Sequence, residues 1–354
     1  MAFWQNFLFL ANQSKLTNYL IMIRSKISGL GFYVPPRVVS NEQLSQTMNT
    51  SNEWIIERTG IQQRHYIDEG EHTTHGLGVK ASEVALKNAN LEAKDIDLII
   101  FATLSPDYYF PGSGVLLQRS LPFGNIAAID LRAQCSGFIY GLSVADQFIK
   151  AGTYKNILVV GAEIQSTGLD YSDHGRHVAV IFGDGAGAAV LSATTDSNSG
   201  ILSTHLHSDG KYAEELAVLY PNSNTYKKHD SQEQVAGGKF YPIMNGSHVF
   251  KHAVTRMPEV IREALLANNL QIEDLDLVIP HQANERITEA VRRNLGVSAD
   301  KIVSNIHKYG NTTAASIPIA LCEAWQEGRI KEGDLVCLTA FGSGFTWASA
   351  LLRW

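Results

Sequence analysis

The chain contains two similar runs in which spaced acidic residues lead into a continuous apolar segment, Asp95–Ile100 (DIDLII) and Asp274–Ile279 (DLDLVI). Apolar runs of this kind are typical of strands that are buried on both faces of a parallel sheet. Each run is followed by the same series of a strand, a strand-to-helix joint, a helix, a strand and a Gly-rich turn into a further strand. The sequence therefore predicts an α/β fold with a duplicated core, in which helices cover two mostly parallel sheets related by a pseudo-twofold axis.

We divide the chain on this basis into a non-core extension over residues 1–22, an N-terminal half over 23–195 and a C-terminal half over 196–354. The extension lacks the basic residues that precede the apolar part of a secretory signal. A short amphipathic surface helix is the alternative for this segment. Within the C-terminal half, residues 208–242 are polar and Gly-rich, which predicts an insertion or a loop.

The composition argues against several classes of protein. The formal net charge of −6 lacks the basic surplus that is typical of nucleic-acid-binding proteins. Three cysteines without a Cys-x-x-Cys spacing predict neither a disulfide framework nor a zinc site, and they fit a reducing compartment. No apolar run reaches the roughly 18–20 residues that a membrane helix needs. We therefore expect a cytoplasmic protein that binds no nucleic acid and no metal and does not span a membrane.

Cys135 lies where a predicted strand, Ala127–Leu131, passes into a predicted helix, Ser136–Lys150. The N-terminus of a helix presents unpaired N–H groups and partial positive charge, which favour a thiolate over a thiol. The thiolate is the nucleophilic form of cysteine, so this position predicts a nucleophile. The alternative is that Cys135 is a small buried apolar residue.

Two further polar residues, His281 and Asn311, are predicted at the ends of strands, where the ligands of open α/β sheets gather. When the two halves are overlaid, Asn311 and Cys135 occupy equivalent positions. Singly, His281 is also consistent with a satisfied core histidine and Asn311 with a helix N-cap. Together, a thiolate and two side chains that can donate hydrogen bonds to a developing oxyanion suit acyl transfer.

The stretch from Ser51 to Gly60 opens with a serine that can cap a helix. Trp54 and Arg58 are four residues apart and therefore share one face of that helix. An exposed Trp beside an Arg can stack on a nucleotide base and bind a phosphate. Alternatively, Trp54 packs in the core and Arg58 is a solvated charge.

Several motifs occur together and in a definite order: SNEWIIERTG at 51–60, AQCSGFIYGL around Cys135, FGDGAGA at 182–188, PHQAN at 280–284, KYGNTTAASIP at 308–318 and FGSGFTWASALLRW at 341–354. On these motifs the chain resembles the thiolase superfamily, and most closely the β-ketoacyl-acyl-carrier-protein synthase III family, from Lys26 to Trp354. The resemblance implies a thiolase-like, duplicated αβαβα layered core with pseudo-twofold symmetry.

The resemblance also implies an activity. Cys135 would take an acyl group from acyl-CoA as a thioester, and malonyl-acyl carrier protein would then lose CO₂ to give an enolate that attacks this thioester. The product would be a 3-oxoacyl-acyl carrier protein, the first intermediate of fatty-acid synthesis. His281 and Asn311 would stabilise the enolate oxygen, and the backbone N–H groups of Cys135 and Gly344 would form the oxyanion hole. No cofactor would be bound permanently, since acyl-CoA and malonyl-acyl carrier protein are substrates.

By the same resemblance, Trp54 and Arg58 contact the adenine and phosphate of CoA. The family places a second Arg on the other side of the adenine, and the corresponding position here is Thr167. The adenine would then be held from one side only, or by another residue. Phe110 matches a residue that reaches across a homodimer into the acyl pocket of the partner subunit.

The implied partner, acyl carrier protein, is acidic, so a basic docking patch is expected. The resemblance favours Arg286 and Lys251 for this patch, because their positions match those of the family. The sequence leaves open which acyl primer is used, because one methylene is worth only about 1–3 kcal/mol in an apolar pocket. It also leaves open a related enzyme of secondary metabolism with the same Cys, His and Asn, and a non-catalytic acyl-binding subunit.

Overall fold

The computed structural model describes residues 23–70, 72–223 and 238–354, so the extension predicted over residues 1–22 lies outside the described residues. The elements of the N-terminal part are the strands β1 (Arg24–Tyr33), β2 (Arg37–Ser40), β3 (Gln63–Tyr66), β4 (Leu98–Ala102), β5 (Ala127–Leu131), β6 (Asn156–Glu163) and β7 (Gly185–Thr194), and the helices α1 (Asn41–Leu44), α2 (Asn52–Thr59), α3 (Thr74–Ala89), α4 (Ser113–Ser120), α5 (Gly137–Lys150) and α6 (Arg176–Ala179). Those of the C-terminal part are the strands β8 (Gly200–Ser208), β9 (Leu216–Ala217), β10 (Ile243–Met244), β11 (Leu277–Pro280), β12 (Leu335–Gly342) and β13 (Thr346–Arg353), and the helices α7 (Gly246–Ala267), α8 (Glu285–Leu295), α9 (Ile306–Tyr309) and α10 (Ser316–Gln326).

Two sheets with corresponding strand orders form the core. The first has the order β1-β7-β6-β4-β5, and the second has the order β11-β12-β13-β8. β4, β6 and β7 correspond to β11, β12 and β13, and an isolated parallel bridge between Val278 and Ile302 lies where a counterpart of β5 would pair. The correspondence agrees with the duplication that the two apolar runs predict. Both sheets are mixed rather than mostly parallel, because β7 and β13 pair antiparallel with their neighbours.

Helices lie on both faces of each sheet. The side chains of Leu98 and Ile100 pack in a buried cluster with α5, α10 and strands of the second sheet. The alternate residues Ile99 and Phe101 pack against α3 on the opposite face, as the two-residue period of a strand requires. α7 and α8 cover the outer face of the second sheet. The resulting order is helix, sheet, helix, sheet, helix, which confirms the predicted αβαβα fold class.

Two segments of the C-terminal part have irregular features. A proline inside a helix usually bends or breaks it, but α7 continues from Gly246 to Ala267 with Pro258 inside it. After Lys301 the chain forms a single bridge, between Ile302 and Val278, rather than a strand. The N–H of Asn305 donates to Oε1 of Gln282 at 2.9 Å.

The segment expected to be a loop, residues 208–242, is only partly described, because residues 224–237 lie outside the described ranges. Its described part contains a short 3₁₀ stretch, Gly210–Glu215, and the two-residue strand β9, which pairs with β10. β7 ends at Thr194 and β8 begins at Gly200. The division of the chain after residue 195 stays a prediction. Among the described residues, no helix combines the length and the apolar character needed to cross a membrane.

Candidate active site

Cys135 lies at the sharp turn that leads from β5 into α5. Gln134 adopts a left-handed backbone conformation with φ of 46°, and a 3₁₀ turn over Gln134–Ser136 joins the strand to the helix. Cys135 is unbridged and only 7% exposed. The turn places this side chain near the N-terminal end of α5, on the wall of a cavity of about 140 Å³.

His281 and Asn311 line the same cavity as Cys135. His281 directly follows β11, and Asn311 precedes α10, so two of the three polar groups come from the C-terminal half and one from the N-terminal half. The rest of the lining is largely apolar and includes a group of side chains from α7: Val249, Phe250, Ala253 and Met257. The structure therefore brings together the three residues that the repeat and the strand ends single out.

His281 is a buried imidazole with one free ring nitrogen. Its Nδ1 lies 2.6 Å from Oγ of Ser316, and its Nε2 has no hydrogen-bond partner in the described part of the chain. Burial lowers the pKa of His281 to about 3. The ring is therefore neutral near pH 7, and it can act on a substrate oxygen only as a neutral hydrogen-bond donor or acceptor.

Asn311 is held through both its backbone and its side chain. Its N–H donates to the carbonyl of Ile181 at 2.9 Å, and its carbonyl accepts from Gly183 at 3.0 Å. Its side-chain Oδ1 accepts from the N–H of Thr313 at 2.8 Å. Because the oxygen of the amide is engaged, the Nδ2 group remains as the donor of this side chain.

The Cys135 thiol is less acidic than its place at a helix N-terminus suggests. Burial and the negative charge of Glu163 raise the pKa of Cys135 to about 12, although the backbone N–H groups of Cys135 and Ser343 act in the opposite direction. The raised pKa runs against the expected thiolate, because the loss of hydration of a buried anion outweighs the nearby dipoles. The thiol is the resting form.

A backbone donor lies opposite Cys135 in the turn that carries Gly344. The N–H that favours the Cys135 anion and so lowers the pKa of the thiol belongs to Ser343, one residue before Gly344. The contribution of Gly344 to the oxyanion hole stays a prediction. A Cβ atom on Gly342 would lie 2.9 Å from Cβ of Cys135, so the backbone of this turn passes very close to the cysteine. The sequence could not distinguish adjacent N–H groups in the turn, because their directions depend on its backbone geometry.

Glu163 is a buried acid beside the site that the sequence analysis missed. It ends β6 and accepts hydrogen bonds from Oγ1 of Thr103 at 3.2 Å, from the N–H of Leu104 at 3.2 Å and from Oγ of Ser105 at 2.7 Å. Burial raises the pKa of Glu163, and these donors oppose that shift. A lone acid at the end of the apolar run NILVVGAE was the available signal. Its observed role is to hold the loop that follows β4.

Trp54 and Arg58 lie together on α2, whose first turn is capped by the Oγ of Ser51 accepting from the N–H of Trp54 at 3.2 Å. The guanidinium carbon of Arg58 lies 4.6 Å from the centroid of the Trp54 ring. The carbonyl of Arg58 accepts from Nδ2 of Asn284 at 2.9 Å, and Asn284 lines the cavity beside Cys135. α2 is thus connected directly to the wall of the cavity.

A second guanidinium lies at the same ring, and it belongs to Arg176 rather than to the position of Thr167. The guanidinium carbon of Arg176 lies 5.5 Å from the Trp54 centroid, and its side chain also donates to the carbonyl of Asn49. Arg176 is therefore a candidate for the other residue that the sequence analysis left open at the adenine. The sequence analysis missed Arg176 because the segment before α6 is irregular and shows no period from which its direction can be inferred.

Phe110 does not line the cavity that contains Cys135 in its own chain. It is 80% exposed, and its neighbours Tyr108 and Tyr109 are 57% and 72% exposed. This loop leads into α4, which packs beside β5, the edge strand of the first sheet. The structure therefore leaves Phe110 facing away from its own site.

Lys251 and Arg286 are both exposed and lie on α7 and α8, next to the cavity. The guanidinium carbon of Arg286 lies 5.8 Å from the ring centroid of Phe250, which lines the cavity. Three other cations of these helices are paired with carboxylates on the same helix: Arg256 with Glu259, and Arg292 and Arg293 with Glu289. Within the described ranges, Lys251 and Arg286 form no ion pair, so their charges remain available.

Comparison with known proteins agrees with this geometry. Two family models match the chain, described as 3-oxoacyl-(acyl-carrier-protein) synthase III over residues 129–210 and as the C-terminal part of the same enzyme over residues 265–354. The β-ketoacyl-(acyl-carrier-protein) synthase III of Rhodospirillum centenum is 46% identical over 335 residues, which cover 94% of this chain and 99% of the relative. The chain belongs to this family. The predicted resemblance is therefore confirmed, and so is the prediction of an acyltransferase of the condensing type.

Solved structures of two kinds of condensing enzyme are similar to this chain. The 3-oxoacyl-(acyl-carrier-protein) synthase III of Aquifex aeolicus VF5 matches with a TM-score of 0.85 at 43% identity, covering 93% of this chain and 100% of the other. The priming β-ketosynthase of the R1128 polyketide pathway matches with a TM-score of 0.84 at 32% identity, covering 93% and 96%. The identity is higher to the Aquifex enzyme than to the polyketide enzyme, so the alternative of a secondary-metabolite enzyme is not favoured. No cluster of three or more His, Cys, Asp or Glu side chains within the described ranges is arranged to hold a metal ion.

Proposed function

We propose that this chain condenses an acyl-CoA primer with malonyl-acyl carrier protein and so initiates fatty-acid synthesis, with Cys135 as the residue that carries the acyl group. The single observation that supports this assignment most is the convergence of Cys135, His281 and Asn311 on one small, largely apolar cavity. A nucleophile and two uncharged donors in a desolvated pocket match the needs of a reaction that forms oxyanions. A radiolabelled acyl-CoA that becomes attached to Cys135 and leaves in a 3-oxoacyl product on malonyl-acyl carrier protein is the test.

The first half-reaction is a thioester exchange. The sulfur of Cys135 forms a bond to the acyl carbonyl carbon, the bond to the CoA sulfur breaks, and the thiol proton leaves with CoA. The backbone N–H groups of Cys135 and Ser343 are our candidates for the oxyanion hole, because both favour negative charge at the sulfur and so lower the pKa of Cys135. Gly344 of the original prediction is the alternative donor.

The second half-reaction forms a carbon–carbon bond. Malonyl-acyl carrier protein loses CO₂, the resulting enolate carbon attacks the thioester, and the sulfur of Cys135 leaves and takes up one proton. His281 and Asn311 donate hydrogen bonds to the enolate oxygen. Both donors are uncharged, because burial holds the pKa of His281 at about 3. They stabilise the enolate through oriented dipoles rather than through an ion pair.

Substrate recognition falls to two separate clusters. We assign the adenine and phosphates of CoA to Trp54, Arg58 and Arg176, since an indole with two guanidinium groups offers both a stacking face and anion binding. We assign the acidic carrier protein to Lys251 and Arg286, the exposed cations beside the cavity that have no ion-pair partner among the described residues. No cofactor is required beyond these substrates.

The two clusters predict opposite effects on the two Michaelis constants. We expect Arg176→Ala to raise KM for acyl-CoA by about tenfold, because a lost cation–π and phosphate contact is worth about 1–2 kcal/mol. The paired change Lys251→Glu with Arg286→Glu is expected to raise KM for malonyl-acyl carrier protein by a similar factor, and more weakly at high salt. Steady-state kinetics with the other substrate saturating separate the two, and each variant is the control for the other. Equal effects on both constants would contradict the assignment.

We also propose that the chain forms a homodimer through the edge of the first sheet. Among the described strands β5 has a single neighbour, Ile129 on it is 36% exposed, and Tyr108 and Phe110 form an exposed aromatic surface nearby. Unpaired strand edges beside exposed apolar side chains are unfavourable in water unless another chain covers them. In such a dimer Phe110 contacts the acyl pocket of the partner subunit.

The reduced cysteines support a cytoplasmic location.

The dimer proposal predicts the effect of one charge placed on this surface. Sedimentation velocity of the wild-type protein is expected to show twice the mass of one chain, whereas Phe110→Asp shifts the distribution toward the monomer because it buries an unpaired carboxylate in the contact. Leu266→Asp is the matched control, since Leu266 is 79% exposed on α7. A wild-type protein that sediments as a monomer, or equal dissociation in the control, would contradict the proposed contact.

A further inference from the structure

The hydroxyl of Ser316 lies against His281 on the side away from the free ring nitrogen. Its Oγ is 2.6 Å from Nδ1 of His281, and both residues are 2% exposed. Ser316 is the first residue of α10. A buried contact this short restricts both ring orientation and proton position.

A second contact bears on the direction of this hydrogen bond. The backbone N–H of Gln282 donates to Oγ of Ser316 at 3.4 Å. Because the hydroxyl already accepts this N–H, we infer that it donates its own proton to Nδ1 of His281. The ring then accepts at Nδ1 and carries its proton on Nε2. The other tautomer would present a lone pair at Nε2, which repels a developing negative oxygen.

Asn311 is oriented in the same way, by a hydrogen bond to its acceptor atom. The N–H of Thr313 donates to Oδ1 of Asn311 at 2.8 Å, which leaves the amide N–H₂ group as the free donor. Ser316 and Thr313 are three residues apart, at the entrance of one helix. A single segment, residues 311–316, thus supplies the hydrogen-bond partners of both side chains: Thr313 at Oδ1 of Asn311 and Ser316 at Nδ1 of His281.

We propose that Ser316 is a positioning residue that holds His281 as the Nε2–H tautomer for the condensation step. This inference rests on the proposed function of His281 as a donor to the enolate. Acylation of Cys135 needs only the backbone N–H groups, so it does not depend on Ser316. Loss of the hydroxyl therefore affects the two half-reactions unequally.

The test compares Ser316→Ala with Ser349→Ala. Ser349 is also a fully buried serine, and its Oγ donates to the carbonyl of Val260 at 2.9 Å. Ser316→Ala is expected to slow condensation by about ten- to a hundredfold, a typical loss when a group that orients a functional side chain is removed. The rate of Cys135 acylation by acyl-CoA, measured by intact-protein mass, is expected to stay within about threefold of wild type. Ser349→Ala should leave both rates near wild type.

A second measurement reports on the tautomer itself. In protein labelled with ¹⁵N-histidine, the two-bond ¹H–¹⁵N spectrum of His281 is expected to show a protonated Nε2 in wild type and a mixed or reversed pattern in Ser316→Ala, with Ser316→Thr retaining the wild-type pattern. An unchanged tautomer in Ser316→Ala, or equal losses in both half-reactions, would overturn the proposal. A wild-type protein that is never acylated at Cys135 would instead overturn the proposed function, and the spectrum would still decide the role of Ser316.

Discussion

Replacement of Cys135 by Ala is expected to abolish acylation and to lower the condensation rate by on the order of 10⁴-fold or more, because the covalent intermediate can no longer form. Intact-protein mass after incubation with acyl-CoA is the direct measurement. The wild-type protein gains the mass of one acyl group, which malonyl-acyl carrier protein then removes. The variant gains none. A condensation rate that survives in Cys135→Ala would mean that the acyl group is transferred without this thioester.

Two other cysteines provide matched controls for this prediction. Burial raises the pKa of Cys322 and that of Cys337 to about 12, the same value as for Cys135. Acidity therefore does not distinguish the three thiols, but position does, since Cys322 lies within α10 and Cys337 within β12. Cys322→Ala and Cys337→Ala should still be acylated. An acyl group found on either of these residues would contradict the assignment of Cys135.

The sequence predicts the fold well wherever hydrophobic pattern alone decides it. Apolar runs such as Leu98–Ala102 have no polar face, so they can lie only between two layers of helices, and every residue of β4 is buried. The amphipathic run Glu285–Leu295 forms α8, which ends at a left-handed Gly296. The overlay of the halves also places Asn311 in register with Cys135, and both residues line one cavity in the structure.

The remaining parts of the site lie on irregular backbone. Such segments have no hydrophobic periodicity from which the direction of a side chain could be predicted. Arg176 reaches Trp54 from a short helix after a loop, so its contact could not be inferred from its spacing to Thr167. Ser343 and Gly344 are neighbours in one turn, and only the geometry of that turn decides which N–H acts at the sulfur to lower the pKa of Cys135. The position of Cys135 at the N-terminus of a helix predicts a thiolate. Burial instead raises the pKa of this thiol, and the sequence does not show how completely the site excludes water.

His281→Ala and Asn311→Ala are each expected to lower the condensation rate by about 10²–10³-fold, the usual loss when one donor to an oxyanion is removed. Acylation of Cys135 should remain close to wild type in both variants, because the backbone holds the first oxyanion. The double variant is expected to lose less than the product of the two factors, since the donors act on one oxygen. Rapid-quench measurement of acylation and of product formation separates the two half-reactions.

The sharper test of this pair is the replacement of a donor by an acceptor. Asn311→Asp keeps the size of the side chain but presents a carboxylate to the enolate, so we expect a larger loss of condensation rate than in Asn311→Ala.

The pH profile of the condensation rate tests the charge of His281. Burial lowers the pKa of His281 from its ordinary value near 6.5 to about 3. Protonation would create a buried cation, so the neutral ring persists as the pH falls through 6.5. The condensation rate should therefore show no ionisation of His281 between about pH 5 and 8, and an inflection near pH 6.5 that disappears in His281→Ala would contradict a neutral donor.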